Sequence, residues 1–527
     1  MTIHSNNFPS DLSALKSLLA LSFKENTDLK SRNSDLESEV ARLNQEIKYF
    51  LSQKFGRKSD VVHPGQGRLF DEAEQSVASA TPEEVEEEKE DAVVVPGHTK
   101  CRGKRMPLPT SLDRRVIVHD LVESEKHCTN PDCQGCALKE IGVATSEQLD
   151  IIPMQMIVLE HQRKKYACPS CESNVVTAAM PPQPIPKSIA GPGLLAHTVV
   201  SKYADALPLY RQEAMLARLG IDLPRSTMSR WMIQAGRLVE PLIAQLRKKI
   251  LEGPVVHSDE TTIQVLKEDG KAVGSKSYMW VMARGSPGEK AVVFNYHRSR
   301  SQKVPEGIFA GYRGYLQADG YSGYDSISRE ESPVIRVGCW AHLRRKFTDS
   351  LKSAPRGGEG TVAREAAKMI KDLYEIERDI KDLDHNGRYR ARQERSKPKL
   401  DKIRAWLDKK SVEMLPKSMT GKALAYMENE WVYLARYIDC GELEIDNNVA
   451  ERAIKPFVVG RKNWMFADTP SGADASAALY SLIESAKANK VEPYSYLKHV
   501  FTELPKAISD EEIAALLPWE FKKIPQI

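Results

Sequence analysis

Three acidic residues stand where chemistry is possible: Asp259 in VVHSDETTIQVL, Asp319 in GYLQADGYSGY and Glu451 in LEIDNNVAERAIKPFVVGRKNW. The first two sit at or just inside the ends of short β-type runs. The third lies on a helical stretch far downstream, ahead of a basic one. Carboxylates are hard oxygen ligands suited to Mg2+ or Mn2+. A pair of such ions about 4 Å apart can activate an attacking oxygen and stabilise a leaving one, so the three acids together point to two-metal phosphoryl transfer. Taken singly they would not, because an Asp at a strand end is usually a solvated cap and a Glu on a charged helix usually makes a surface pair. Glu260, Asp269, Asp325, Glu444 and Asp446 lie nearby in sequence and compete for the role. Asp446 also reads as a helix cap that orients Asn447.

A second kind of chemistry is written in cysteine. Four of the eight form two pairs, Cys133-Gln-Gly-Cys136 and Cys168-Pro-Ser-Cys171. Two such knuckles, joined by the strand-like run QLDIIPMQMIVLEHQRKKYA, supply four thiolates for a closed structural Zn2+ site. The gap between the pairs is longer than in most ribbons, and Cys128, beside His127, is close enough to replace Cys133 or Cys136. Eight cysteines in 527 residues do not describe a secreted disulfide scaffold. Basic residues flank both kinds of site. Arg163, Lys164 and Lys165 precede the second knuckle, as in nucleic-acid-binding ribbons. Arg344, Arg345 and Lys346 follow Cys339-Trp340-Ala341-His342, while Lys455, Arg461 and Lys462 follow Glu451, so both groups are placed to hold phosphates near the acids. His342 is expected to pack against the core or to support a neighbouring ligand. Trp340 and Trp464 read first as core residues and second as platforms for unpaired bases.

The elements that must position these groups follow from length and periodicity. At 527 residues the chain should divide into about three or four folded units. Residues 11–55 fall into heptads, with Leu12, Leu19, Asn26, Asn33, Val40 and Ile47 at one seam position and Leu15, Ser22, Leu29, Leu36, Leu43 and Phe50 at the other. That pattern suits a parallel dimeric zipper, with an amphipathic helix packed on its own protein as the other reading. Residues 56–96 are polar and acidic and read as a tether. Residues 97–186 form the zinc unit. Residues 187–250 read as helices, with Arg225, Ser226, Thr227 and Arg230 opening the second half of a helix-turn-helix, or of a plain helical hairpin between domains.

From residue 251 the period switches to strands. Three antiparallel runs, a short helix, a fourth strand and then alternating helix and strand match the order of a ribonuclease H-like core. Its first part is assigned to 251–345, an all-helical insertion to 346–440, the last part with Glu451 to 441–490, and a C-terminal tail to 491–527. The fold class is thus multidomain α+β. In that topology the first and fourth strands are neighbours, which would bring Asp259 and Asp319 to one edge. The net charge of +4 hides an acidic run at 83–91 and local basic clusters. No run approaches the roughly 18 apolar residues of a membrane span, and MTIHSNNFPSDL lacks a signal-peptide plan. A soluble, cytoplasmic, nucleoid-associated protein of bacterial type is expected.

The segments HSDETTIQVL, GYLQADGYSGY, VGCWAHLRRKF, EIDNNVAERAIKPFVVGRKNWMF and ALYSLIESAKANKVEPYSYL closely resemble those of transposases of the insertion sequence 66 family. The N-terminal zipper, FGRKSD, the paired cysteines and KYADALPLYRQ resemble the same family in the same order, so the likeness spans nearly the whole chain. The resemblance implies a DDE-type transposase in which Asp259, Asp319 and Glu451 match the catalytic triad. It implies DNA as partner, two Mg2+ or Mn2+ ions, and small accessory proteins of the same element. Cys128 is an extra cysteine relative to the family pattern. A non-catalytic dimeric zinc-containing DNA-binding protein and a structure-selective nuclease are the rival expectations. Neither accounts as well for an intact acid triad together with a zipper and further candidate DNA-binding units.

Overall fold

The computed structural model describes residues 11–55, 155–167, 175–272, 274–284, 288–329, 332–353 and 359–521. Cys128, Cys133, Cys136, Cys168 and Cys171 lie outside them, as does the acidic tether. Helix α1 (Leu12–Phe55) is continuous, and its seam residues Leu19, Leu29, Leu36, Val40, Leu43 and Ile47 are exposed. The strand-like run ahead of the second cysteine pair needs correction. Residues 155–164 carry no regular secondary structure, and Ile157, Val158 and Leu159 are exposed. Among the described residues of that run only β1 (Lys165–Ala167) pairs, antiparallel, with β2 (Val175–Thr177). An apolar alternation makes a strand only where a second strand or a core covers it.

Helices α2 (Pro192–Tyr203), α3 (Leu209–Arg218) and α4 (Arg225–Leu251) follow. Gly220, with φ +78°, turns the chain between α3 and α4. The buried residues of α4 include Met228, Trp231, Ala235, Val239, Leu242, Leu246 and Ile250, a stripe at helical spacing that runs its whole length. A helix of this length with so continuous a buried face is a core element, whose other face carries exposed residues such as Arg225, Arg230, Gln234, Arg237 and Lys248.

The sheet contains β3 (Val255–Gln264), β4 (Lys276–Arg284), β5 (Ala291–His297), β6 (Gly314–Gln317) and β7 (Val334–Val337), in the order β5-β4-β3-β6-β7. The β5-β4 and β4-β3 pairs are antiparallel, while β3-β6 and β6-β7 are parallel. The short helix α5 (Lys303–Ile308) connects β5 to β6. After β7 come α6 (Trp340–Ser353), α7 (Glu359–Asp379), α8 (His385–Ala391), α9 (Lys397–Glu413) and α10 (Met419–Ala435). The chain returns to the sheet with α11 (Asn448–Trp464), then α12 (Pro470–Ala488) and α13 (Pro493–Glu503), and ends with short helices α14 (Asp510–Ala514) and α15 (Pro518–Phe521).

Both free edges of this sheet are closed by helices. Along β5 the closing is done by α12, whose Ser481, Ser485 and Asn489 recur every fourth residue. Ser481 Oγ accepts from Phe294 N–H at 2.8 Å and Ser485 Oγ from Val292 N–H at 2.9 Å. Ser485 Oγ also donates to Val292 C=O, and the Asn489 amide exchanges two bonds with the Lys290 backbone. At the other edge, Gly338 N–H donates to Tyr433 C=O of α10, and Arg436 donates to Arg336 C=O. The α12 helix fits between β5 and α4 because its inner residues are small: a Cβ on Gly236 of α4 would lie 2.7 Å from Ala475 Cα.

The helices between β7 and α11 share one core, built from Trp340, Leu343, Phe347, Ala363, Ile370, Leu373, Leu407, Leu424 and Tyr437. Arg392, fully buried, gathers the end of this unit: its guanidinium donates to the carbonyls of Tyr437, Cys440 and Leu443 and to Glu377. Three carbonyls are thereby tied to one guanidinium where the chain turns back toward α11, Cys440 C=O also accepting from Leu443 N–H and Leu443 C=O from Arg388. Residues 493–521, read from sequence as a tail, are helical, and Tyr496, Leu497, Val500 and Phe501 are fully buried. Tyr496 OH donates to Leu516 C=O at 3.0 Å.

Candidate active site

The β3-β6 register pairs Val255 with Tyr315 and His257 with Gln317. Two residues beyond the last pair stand Asp259, still on β3, and Asp319, just past the end of β6. Side chains two apart on a strand share a face, so the parallel offset of the backbone is what brings these acids together. Glu451 arrives from α11, in its first turn, where the helix dipole favours a negative charge.

Asn447, fully buried just before α11, ties that helix to β3. Its Nδ2 donates to Ser258 C=O at 2.7 Å, and its N–H donates to Cys339 Sγ at 3.2 Å. Asn447 Oδ1 faces His257 Nδ1 at 3.1 Å. Burial pulls the His257 ring down to about 4, so it is neutral and must donate from Nδ1. Asp446 precedes the N-cap residue Asn447 and braces the helix start, with Oδ1 accepting from Asn448 N–H and Oδ2 from Asn448 Nδ2 and Tyr374 OH. Asp319 is held from behind by Arg336, which is 1% exposed. This guanidinium donates to Asp319 C=O at 2.9 Å, to Asp325 and to Glu430 of α10, and stacks on Tyr433.

Ion pairing separates the acids into two populations, although burial and then the nearby Asp319 carboxylate raise Glu260 above the ordinary carboxylate range despite Arg300. Glu260, with its side chain 2% exposed, is bound by Arg300 and accepts from Tyr324 OH at 2.9 Å. Asp325 pairs with Arg336 and Glu444 with Arg388. Among the described residues, no salt bridge reaches Asp259 or Asp319; their hydrogen bonds come from the amides of Glu260 and Tyr321. Glu451 has only Arg345, at 3.5 Å and largely exposed, and His342, whose Nδ1 lies 3.5 Å from Oε1. Burial first, then the nearby carboxylates Glu260 and Asp319 and, more weakly, Glu451, push Asp259 up to about 7.

Such a cluster suits a hard divalent cation, which would neutralise the charge that the protein leaves uncompensated. Glu451 Oε1 is buried without a hydrogen-bond partner, which fits the same use. The three carboxylates do not form one tight ligand set. Among the described residues the set that closes to within 4.8 Å is Cys339 Sγ, His342 and Glu451. Two ions sharing one central carboxylate do not require all three acids to converge on a single point.

The other residues singled out in the sequence fall in several places. Arg344, Arg345 and Lys346 lie on α6 with exposed side chains; Arg344 sits over the Tyr374 ring and Lys346 over that of Tyr426. Lys455 and Lys462 are exposed on α11, whereas Arg461 is half-buried and donates to Thr262 Oγ1 at 3.0 Å. Arg225, Ser226 and Arg230 are exposed at the start of α4, and Arg230 donates to the half-buried Thr227. Trp340 is fully buried, donating to Leu434 C=O, and is a core residue. Trp464 is half-buried, edge-on to Phe457, with Lys202 over its ring. Sequence reasoning missed Arg300 and Arg336, which decide which acids are neutralised, and the nearness of Cys339 to Glu451. The CxxH spacing at a helix start was the available signal for the last.

Comparison with known proteins gives the class first: residues 187–475 match the profile described as transposase IS66 family. Residues 481–519 match its C-terminal element, 125–172 its zinc-finger binding domain, and 42–117 a profile described as transposase C of IS166 homeodomain. The chain belongs to the IS66 transposase family. Among its relatives, Uncharacterized protein y4qI of Sinorhizobium fredii (strain NBRC 101917 / NGR234) is 30% identical across 98% of each chain. Uncharacterized protein y4jD of the same organism is 34% identical over 79% of this chain and 81% of that protein. No solved structure matches. Among the described residues no helix is long and apolar enough to cross a membrane.

Proposed function

We propose that this chain binds the terminal inverted repeats of an insertion sequence and carries out metal-dependent strand cleavage and strand transfer, with Asp259, Asp319 and Glu451 as the ligands of two Mg2+ or Mn2+ ions. The observation that carries this reading is the contrast in charge compensation. Acids from β3, from just past β6 and from α11 lie near one another; among the described residues no salt bridge reaches the Asp259 or Asp319 carboxylate and Glu451 meets only His342 and the exposed Arg345, while Glu260 and Asp325 beside them are each paired with an arginine. The sheet order β5-β4-β3-β6-β7, three antiparallel strands followed by two parallel ones, supports a ribonuclease H-like core interrupted by a helical insertion.

When bound, the ions would activate water and then a freed 3′-hydroxyl and stabilise the departing oxygen. The chain's own residues do the positioning. Asn447 fixes the start of α11 on β3, and Arg336 fixes the backbone at Asp319. Arg345 is free to exchange Glu451 for a phosphate, and the exposed Arg344, Lys346, Lys455 and Lys462 on the same two helices are further phosphate contacts in this reading. Arg461 supports β3 and reaches a phosphate only if it leaves Thr262.

Around this core we assign a DNA-reading role to Arg225, Ser226, Thr227 and Arg230, a structural Zn2+ to Cys133, Cys136, Cys168 and Cys171, and dimerisation to the exposed heptad seam of α1. Accessory proteins of the same element are further partners in this reading. Its test is labelled DNA carrying the repeats that flank the gene, incubated with purified protein and Mg2+ or Mn2+. Nicking at the repeat boundary by wild type but not by Glu451→Gln is the expected result. Specific binding by both without cleavage, even with the element's other products added, would instead identify a non-catalytic DNA-binding protein.

A further inference from the structure

Cys339, His342 and Glu451 form a ligand set of a different chemical character from the acid cluster. Cys339 ends the loop after β7, His342 lies three residues on in the first turn of α6, and Glu451 comes from α11. One ligand atom of each falls within 4.8 Å of the other two. His342 Nδ1 and Glu451 Oε1 are 3.5 Å apart, both buried, and neither has a hydrogen-bond partner. Two ligands on a tetrahedral Zn2+ stand about 3.3 Å apart, given metal–ligand bonds of about 2.0–2.1 Å. The two orphaned atoms are already near that separation. A thiolate, an imidazole and a carboxylate are the donors of a zinc-type ion, whereas Mg2+ takes oxygen ligands.

We propose that Cys339, His342 and Glu451 bind a zinc-type divalent ion that competes with the Mg2+ ions for Glu451 and so holds the enzyme inactive. Binding releases the Cys339 thiol proton to solvent and leaves the fourth position to water. Glu451 is then committed to an ion on the α6 side. The regulatory part of this proposal rests on Glu451 being a ligand in the catalytic reaction; the site itself does not.

The experiment separates the two. Full-length wild type, Cys339→Ser and His342→Ala are equilibrated at a series of buffered free zinc concentrations, and zinc per chain is counted by elemental analysis. The zinc-finger cysteines contribute equally to all three proteins. Wild type should take up one more equivalent than either variant, and the variants should need about tenfold more free zinc or higher to fill that step. Cobalt substitution should show the matching loss of one thiolate-to-metal charge-transfer contribution in Cys339→Ser. Metal-dependent cleavage should be inhibited over the range in which this step fills in wild type, and the inhibition curve should shift to higher zinc in His342→Ala. Equal zinc counts and superimposable inhibition curves in all three would overturn the site. Should Cys339→Ser fail to give a wild-type thermal melt, His342→Ala carries the count alone. Absence of cleavage without zinc would defeat the transposition chemistry while leaving the zinc count to decide the site.

Discussion

Asp259 and Glu260 are consecutive on one strand and have opposite fates. Glu260 points to the face where Arg300 and Tyr324 wait, and its carboxylate is held by a guanidinium and a phenol, although burial and Asp319 still raise it. Asp259 points to the face of α11, among other carboxylates, with no cation paired to it among the described residues. The first arrangement holds a loop and a 3-10 turn onto the sheet. The second is an unbalanced field that the fold sustains at a cost and that a divalent ion would relieve. A neutralised buried acid is architecture; an unneutralised one is a place for something absent from the chain.

The sharpest break of this comparison is in activity. Asp259→Asn, Asp319→Asn and Glu451→Gln should each lower metal-dependent cleavage by about a thousandfold or more, whereas Glu260→Gln should retain cleavage in proportion to the folded protein that remains. Gel assays on repeat-end DNA measure both, and near-wild-type cleavage by Asp259→Asn would erase the distinction.

Stability should divide in the opposite sense. Glu260→Ala removes the carboxylate partner of Arg300, which keeps the Tyr321 ring, while Tyr324 OH keeps Ser258 Oγ; with Arg300 part-exposed the loss should be about 1–3 kcal/mol. Asp259→Asn removes a repelling charge and should leave metal-free stability unchanged or higher. Chemical denaturation in the presence of a chelator reads both, and a larger loss for Asp259→Asn would contradict the reading.

The pH dependence sharpens the same point. Asp259 is held up to about 7, above its unfolded value, so between about pH 4 and 7 the folded chain binds a proton that the unfolded chain does not. Its contribution to stability in chelator therefore falls as pH rises through that window and is flat above it. Metal must displace this proton, so Mn2+ affinity should rise by up to about tenfold per pH unit below 7 and level off near 8. Titration calorimetry in wild type and Asp259→Asn checks this, and the slope should be reduced in the variant.

Much of the sheet was legible beforehand. The runs at 255–264, 276–284 and 291–297 alternate or are apolar at strand length, and acids at strand ends drew attention to Asp259 and Asp319. What distinguishes Asp259 from Glu260 was not legible, because Arg300 and Tyr324 reach Glu260 from 40 and 64 positions away. The same holds for Asn447, whose partners Ser258 and Cys339 are 189 and 108 residues distant. The run at 155–164 misled in the other direction, since its apolar pattern has no strand to pair with among the described residues. Ser481, Ser485 and Asn489 looked like unremarkable helix residues until β5 lay beside them. The smallest expected effect tests them: Ser485→Ala should cost about 1–2 kcal/mol by leaving the Val292 N–H without its acceptor, and denaturant unfolding measures it.

Those polar side chains on α12, with the α10 contacts at β7, make the sheet finite. A bare margin of main-chain donors and acceptors is an invitation to any extended peptide, including the same segment of a neighbouring molecule. Here such recruitment is refused on both flanks. In the proposed reading, copies of this domain brought close together on DNA can crowd without fusing strand to strand.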